Sequence, residues 1–171
     1  YSQAEKESTK DSSGLEMLLS KAAYNSTRNP SRAISYARKA LGESGQDNSY
    51  RMKAYYHLGF AHYNKNNFDS ALTYLEKAMD INREVDDEKW RALTYNRMGN
   101  THQLKGSYDK ALKNYQEALE INRQLDERKE IARSLTNIGS IYRTFGNYDK
   151  AIQFHLEALA IYEELGDTEG I

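Results

Sequence analysis

A 21-residue stretch, GNTHQLKGSYDKALKNYQEAL at 99–119, returns in edited form as GSIYRTFGNYDKAIQFHLEAL at 139–159 and as GFAHYNKNNFDSALTYLEKAM at 59–79. The three copies stand in register at a spacing of 40 residues. Over whole blocks, residues 86–125 match 126–165 at 14 positions and 46–85 at 13, where ordinary composition would give roughly two to four by chance. Repetition at such a period builds an array of small units stacked on their neighbours, each too short to enclose a core alone. The 171 residues leave room for about four units.

Within a unit the apolar residues follow helical spacing, and the chain has a single proline, Pro30, to interrupt it. Residues 1–13 (YSQAEKESTKDSS) are polar, show no apolar face and are expected to be a frayed lead-in. Leu15, Leu18, Leu19, Ala22 and Ala23 then take helical spacing, Asn29-Pro30-Ser31 breaks it, and Ala33, Ile34, Tyr36, Ala37, Ala40 and Leu41 resume it, so that 14–45 reads as a degenerate first repeat. The Gly/Ser/Asp-rich segment 42–49 reads as a linker. Regular repeats fill 46–85, 86–125 and 126–165, and 166–171 starts a further, truncated one. Each holds a first helix (A, near 50–64, 88–105 and 128–145) and a second (B, near 68–84, 108–124 and 148–164). Tyr1 in place of a methionine, and Ile171 one period after Ile131, are read as the ends of a fragment of a longer protein.

The turn from A to B repeats a polar residue, an aromatic and an aspartate: Asn67-Phe68-Asp69, Ser107-Tyr108-Asp109 and Asn147-Tyr148-Asp149. The polar residue is expected to cap helix B and the aspartate to favour its positive end. Gly59, Gly99 and Gly139 fall inside helix A, where glycine costs about 1 kcal/mol relative to alanine. A cost repeated at one phase implies a helix crossing too close for a side chain. Ala71, Ala111 and Ala151 at the start of B, with Ala78, Ala118 and Ala158 seven residues on, supply the opposing small surface, and Leu58, Met98 and Ile138 fill the space beside the glycine.

A hydrophobe and glycine in helix A, alanine early in helix B, a large residue four further on (Leu75, Tyr115, His155) and alanine three after that resemble the tetratricopeptide repeat. The pattern covers about 50–165 well and 15–41 weakly, with Ser20 at the glycine position. It departs from the family where the early tryptophan is Tyr55, Tyr95 or Leu135, and where the proline closing helix B is Arg83, Arg123 or Glu163. A helix B without that proline can run on, in keeping with 40 residues rather than the commoner 34. The long period and the acidic junctions are similar to a subgroup that includes Pins-type spindle-orientation adaptors, Rap-type bacterial regulators and the sensor regions of bacterial signalling proteins. The resemblance implies an all-α fold, a right-handed α-solenoid of antiparallel helix pairs, with helix A on the concave side.

Past its first turn helix A carries no acid: 51–65, 90–105 and 131–145 lack Asp and Glu but hold Arg51, Lys53, Lys65, Arg91, Arg97, Lys105, Arg133 and Arg143. The B helices hold Asp69, Glu76, Asp80, Glu84, Asp109, Glu117, Glu120, Asp149, Glu157, Glu163 and Glu164. A near-neutral chain, net charge −1, is thus expected to be polarised into a cationic groove and an acidic back. The residues expected to face the groove are Lys53, Tyr56, His57, Phe60 and Tyr63; Leu93, Asn96, Arg97, Asn100 and Gln103; and Arg133, Thr136, Asn137, Ser140 and Arg143. Arginine forks grip carboxylates, and asparagine amides both donate to and accept from a peptide backbone. By resemblance to peptide-clamping tetratricopeptide modules, Arg97, Arg133 and Arg143 would hold carboxylates. Asn96, Asn100 and Asn137 would hold the ligand main chain, and Tyr56, Phe60 and Tyr63 an apolar pocket.

The expected function is therefore a protein- or peptide-binding scaffold for an acidic or extended peptide. The alternative is a sensory or dimerisation region of a bacterial histidine kinase or transcription regulator. No nucleophile motif, phosphate loop or HExxH occurs, so no enzyme activity is expected. No cofactor is implied. His62 and His102 share a phase but sit on helices that pack about 8–10 Å apart, against the 2.0–2.3 Å that metal ligation requires, so no metal is expected. A pI near 6.5 argues against nucleic acid, and the absence of any 18-residue apolar run against membrane insertion. Without cysteines the compartment stays open, cytoplasmic or, behind a signal segment, periplasmic. An uncapped final repeat is expected to self-associate through Phe154, Leu159, Ile161 or Leu165.

Overall fold

The structure, a computed structural model, describes residues 3–167, with side chains from residue 12 onward. Among these residues the chain forms eight α-helices: α1 Gln3–Arg28, α2 Pro30–Glu43, α3 Asn48–Asn64, α4 Phe68–Val85, α5 Glu88–Leu104, α6 Tyr108–Gln124, α7 Arg128–Thr144 and α8 Tyr148–Leu165. None is long and apolar enough to cross a membrane. The chain divides into two compact halves, residues 1–86 and 87–171. In the first, α1, α2, α3 and α4 pack in sequence order and α1 also meets α3; in the second, α5 packs on α6, α6 on α7 and α7 on α8. Nearest-neighbour packing of this kind is what a repeat too small for its own core requires.

The helices of the regular repeats begin and end within about two residues of the positions read from apolar spacing. Three details differ. Helix α1 reaches back to Gln3, into the segment expected to fray; no proline interrupts Gln3–Ser13, and Glu, Lys and Ala are good helix formers. The expected linker shrinks because Asp47 caps α3, its carboxylate accepting from the amides of Ser49 (2.9 Å) and Tyr50 (3.2 Å), so the helix starts at Asn48. In the first repeat Ser20 and Ala23 are exposed, and the buried small residue is Ala22, packed with Ala37 and Leu58. The truncated repeat expected at 166–171 lies mostly outside the described residues.

The turns are repeated as closely as the helices. Asn66, Gly106 and Gly146, one period apart, all take positive φ (59°, 74° and 74°), as do Asp86, Asp126 and Gly166 at the other junction (54°, 54° and 64°). Of the three residues expected to cap helix B, only Asn147 does so by its side chain, accepting from the Lys150 amide; Asn67 and Ser107 make no such bond. The backbone makes the same junction at these turns as at Asn147. Each N–H closes the preceding helix, Asn67 to His62 and Ser107 to His102, and each carbonyl opens the next, accepting from Ala71 and Ala111. The aspartates Asp69, Asp109 and Asp149 occupy the first turn of helix B, favourable for its dipole.

The glycine phase is explained by what stands opposite. A methyl on Gly59 would lie 2.7 Å from the Leu75 side chain and 3.1 Å from the Ala71 carbonyl oxygen; on Gly99, 2.5 Å from the Tyr115 ring; on Gly139, 2.9 Å from the His155 ring. Each glycine thus faces the large residue sixteen positions later in its own repeat. The alanines 71, 78, 111, 118, 151 and 158 are all buried around the crossing, as are Leu58 and Ile138, while Met98 is partly exposed.

His62 and His102 sit near these crossings at equal phase. Both nitrogens of His62 and Nδ1 of His102 are buried without a hydrogen-bond partner among the described residues, and His62 stacks on Tyr74 with centroids 5.2 Å apart. Burial lowers the affinity of each ring for a proton, reinforced by Arg38 and Lys65 around His62 and by Lys110 and Lys105 around His102.

Two predictions follow from this packing. Tyr115 is fully buried and cannot step aside, whereas the half-buried His155 can rotate. Gly99→Ala therefore lowers stability by about 1–3 kcal/mol despite its better helix propensity, and Gly139→Ala changes it by less than about 1 kcal/mol; denaturant titration of the two variants checks the order. The two histidines bind protons more weakly folded than unfolded, so their contribution to stability is whole above the ordinary histidine pKa and falls as pH drops below about 6.5. The denaturation midpoint is expected to fall between pH 7.5 and 5.5, and by less in a His62→Phe/His102→Phe variant.

Candidate functional site

The polar residues read as groove-facing lie on α3 in one half and on α5 and α7 in the other. In the second half, the Ser134 hydroxyl on α7 donates to the Asn96 carboxamide oxygen on α5 at 3.2 Å. This bond spans 38 residues and sets α5 and α7 side by side at that level. One turn further along α5, Asn100 and Gln103 both turn to the phenol of Tyr115 on α6, each 2.7 Å from its oxygen. Both neighbours present their carboxamide oxygens, Asn100 Oδ1 and Gln103 Oε1, and the single phenol proton serves one of the two acceptors at a time. These two amides are already engaged with their own repeat, holding upright the ring that presses on Gly99.

The cations are less uniform than their count suggests. Arg133 is exposed and pairs with Glu130 one turn back at 3.1 Å; Arg91 pairs in the same way with Glu88 at 2.6 Å. The helices lack acids beyond their first turn, yet these first-turn glutamates reach forward to the nearest arginine. Arg97 is half-buried, and Ser140 spends its proton on the Thr136 carbonyl at 3.0 Å. Asn137 and Arg143 are the candidates whose side chains make no bond to the protein among the described residues; Asn137 is half-buried and Arg143 exposed. At the seam between helix starts, Lys89 bonds Glu127 at 2.7 Å, and one period on Lys129 bonds Asp167 at 2.5 Å. The hydrogen bond to Glu127 raises the Lys89 amine above its ordinary pKa.

On α3, Lys53 lies 5.7 Å from the Tyr50 ring. Phe60 touches Tyr56 and Tyr63, each at 6.4 Å between centroids, and Tyr63 touches Phe68 at 6.3 Å. Tyr56 and His57 are buried, so of the three aromatics expected to form a pocket only Phe60 and Tyr63 retain surface. Among the described residues no group of three or more His, Asp or Glu is placed to hold a metal ion. Residue types alone did not reveal the Asn96–Ser134 and Tyr115 bonds. Their trace in the sequence is that Tyr115 stands where the other copies have Leu75 and His155, opposite the only repeat with both Asn100 and Gln103.

No curated protein sequence matches the chain. Solved structures do. Aspartyl phosphate phosphatase F from Bacillus subtilis matches 91% of the chain at 15% identity with a TM-score of 0.84. A Rap protein complexed with competence and sporulation factor matches 92% at 21% identity and 0.78. A signal transduction ATPase with numerous domains and a tetratricopeptide repeat sensor, from Pyrococcus horikoshii, matches 88% at 25% identity and 0.80. The chain spans 42%, 45% and 23% of the lengths of these three proteins. The likeness shows the fold, an α-solenoid of antiparallel helix pairs. The tetratricopeptide repeat profile matches residues 50–124 and 90–164, most of the chain, and this chain therefore belongs to the tetratricopeptide repeat family.

Proposed function

We propose that this protein-interaction scaffold takes an acidic, extended peptide on the surface shared by α5 and α7. The reading rests on one observation: the Asn96–Ser134 bond joins the two helices at 3.2 Å, and on the surface so formed Asn137 and Arg143 keep their side chains clear of other bonds among the described residues. Arg143 meets a carboxylate, Asn137 a peptide group, and Arg133 exchanges Glu130 for a ligand acid of the same charge. Arg97 adds a positive field from a half-buried position. Asn96, Asn100, Gln103 and Ser140 act as the fixed frame, since their side chains are engaged. In the other half, Lys53 on α3 lies against the Tyr50 ring, and Phe60 and Tyr63 further along the helix add partly exposed aromatic surface. Tetratricopeptide repeats are in general non-catalytic interaction modules, and nothing in this arrangement sets a nucleophile beside a base.

A second reading, the sensory or dimerisation region of a signalling protein, is supported by the likeness to the signal transduction ATPase with a tetratricopeptide repeat sensor from Pyrococcus horikoshii and to a Rap protein complexed with competence and sporulation factor. The two readings agree on the surface and differ in what binding controls.

A fluorescent Glu-rich decapeptide provides the test, its binding followed by anisotropy. Binding is expected to weaken at least tenfold between 50 and 500 mM salt, and at least tenfold in Arg133→Glu/Arg143→Glu, two exposed substitutions that leave the fold intact. Binding unchanged in that variant rejects this surface.

A further inference from the structure

We propose that the recess between α6 and α8, with α7 beneath, binds a small aromatic amine, its ring stacked on Phe154 and its ammonium group at the mouth. The recess holds about 320 Å³ among Gln116, Leu119, Glu120 and Arg123 of α6, Ile138 of α7 and Phe154 of α8. Small-molecule sites have this character, apolar walls with a few polar groups, and this volume lies at the small end of their range.

The first half of the chain shows what fills the same place there. His62, Tyr74 and Tyr55 form a stack, with Tyr74 5.2 Å from His62 and 6.3 Å from Tyr55, at interplanar angles of 28° and 23°. His62 and Tyr55 stand seven residues apart on α3, about 10 Å along the helix, so Tyr74 lies between them with both faces covered. Tyr55 and Tyr74 pack on the cluster that contains Leu58. Lys77 lies over both rings at 5.7 and 5.6 Å, near enough for cation–π attraction. Two periods on, the positions of His62, Tyr74, Tyr55, Leu58 and Lys77 are held by Tyr142, Phe154, Leu135, Ile138 and Glu157. Tyr142 and Phe154 keep their part of the stack, 5.4 Å apart and 5° from parallel. The third ring is missing, since Leu135 stands in place of Tyr55 and is fully buried in the core. Tyr142 covers one face of Phe154 and does not border the recess, which leaves the other face to line it. The counterpart is closed by α3, the helix beneath it, so an edited residue rather than a missing neighbour leaves the recess open. Among the residues first expected to mediate self-association, Ile161 is buried and Phe154 and Leu159 are partly so.

Charge is edited at the same place. Where the first half has Lys77 the second has Glu157, tied to Arg123 across from α6 at 2.9 Å. Glu120 is exposed, accepts from the Gln124 amide at 3.1 Å and has no cationic partner among the described residues. Two carboxylates thus stand against one guanidinium at the mouth, and a cation balances them. The ligand brings what Tyr55 and Lys77 bring in the first half, a ring and a positive charge.

Tryptamine is the probe, titrated into the whole chain and followed by NMR at the Ile138 methyl groups. Saturable shifts at millimolar concentration are expected, as suits a ligand of so few atoms. Phe154→Leu, which keeps apolar volume but removes the ring, and Glu120→Lys, an exposed change, should each weaken binding at least fivefold. Arg133→Glu/Arg143→Glu should leave it unchanged, which separates this recess from the acidic-peptide surface. Indole-3-propionate, the same ring with a carboxylate in place of the amine, should bind at least fivefold more weakly than tryptamine. Absence of saturable shifts at millimolar tryptamine overturns the proposal, as does binding indifferent to Phe154→Leu in a variant whose circular dichroism matches the parent. Equal binding of the two probes, or binding indifferent to Glu120→Lys, overturns the choice of an amine, and these two arms stay decisive if Phe154→Leu folds poorly.

Discussion

The close approach of helix A to helix B within each regular repeat is the constraint on which the other features depend. It is made by a glycine and the residue sixteen positions later: Gly59 with Leu75, Gly99 with Tyr115, Gly139 with His155. Because the glycine offers no side chain, the opposing residue fills the crossing, and its chemistry differs from copy to copy while the backbone does not. Where it is Leu75 the crossing is sealed by hydrocarbon. Where it is Tyr115 the ring passes through and carries a hydroxyl to the far side, and that polar group must be satisfied when buried. Asn100 and Gln103 meet this need. A packing requirement in the core thus decides which polar side chains on the candidate binding surface are fixed and which remain available.

Charge is organised by the same period. Lys89 with Glu127 and Lys129 with Asp167 repeat one bond at successive helix starts, and Asn48 with Glu84 recurs as Arg128 with Glu164, linking the start of a helix A to the end of its helix B. Exposed pairs of this type each contribute little to stability. On the proposed binding surface, every acid used at a seam or in a first turn neutralises a nearby cation and leaves the field to those that have no such neighbour. Arg143 is one of these.

Much of this could be read from the sequence because repetition averages out accident. Three copies in register located the helices to within about two residues and marked the glycines as a crossing before any coordinates were known. What could not be read was set by geometry rather than by residue type. Asn67 and Ser107 look like caps, but their side chains make no such bond, whereas Asn147 caps from the same backbone turn. Ser20 aligned with glycine by count, yet the irregular first repeat shifts the buried position to Ala22. Arg133 counted toward a basic groove, although Glu130 lies one turn away on the same face. Tyr56 shared the phase of exposed aromatics and is buried. Each case turns on a single neighbour, and one sequence does not disclose neighbours.

In either half, each helix packs chiefly against the next in sequence or the next but one. Contacts between residues far apart in the chain are therefore few, which places the fold among those whose loop-closure entropy is small and whose folding is fast. The same economy means that, among the described residues, each helix is held mainly by its neighbours in sequence. Opening of one helix therefore disturbs chiefly the helices beside it in sequence, and stability can differ from one repeat to the next.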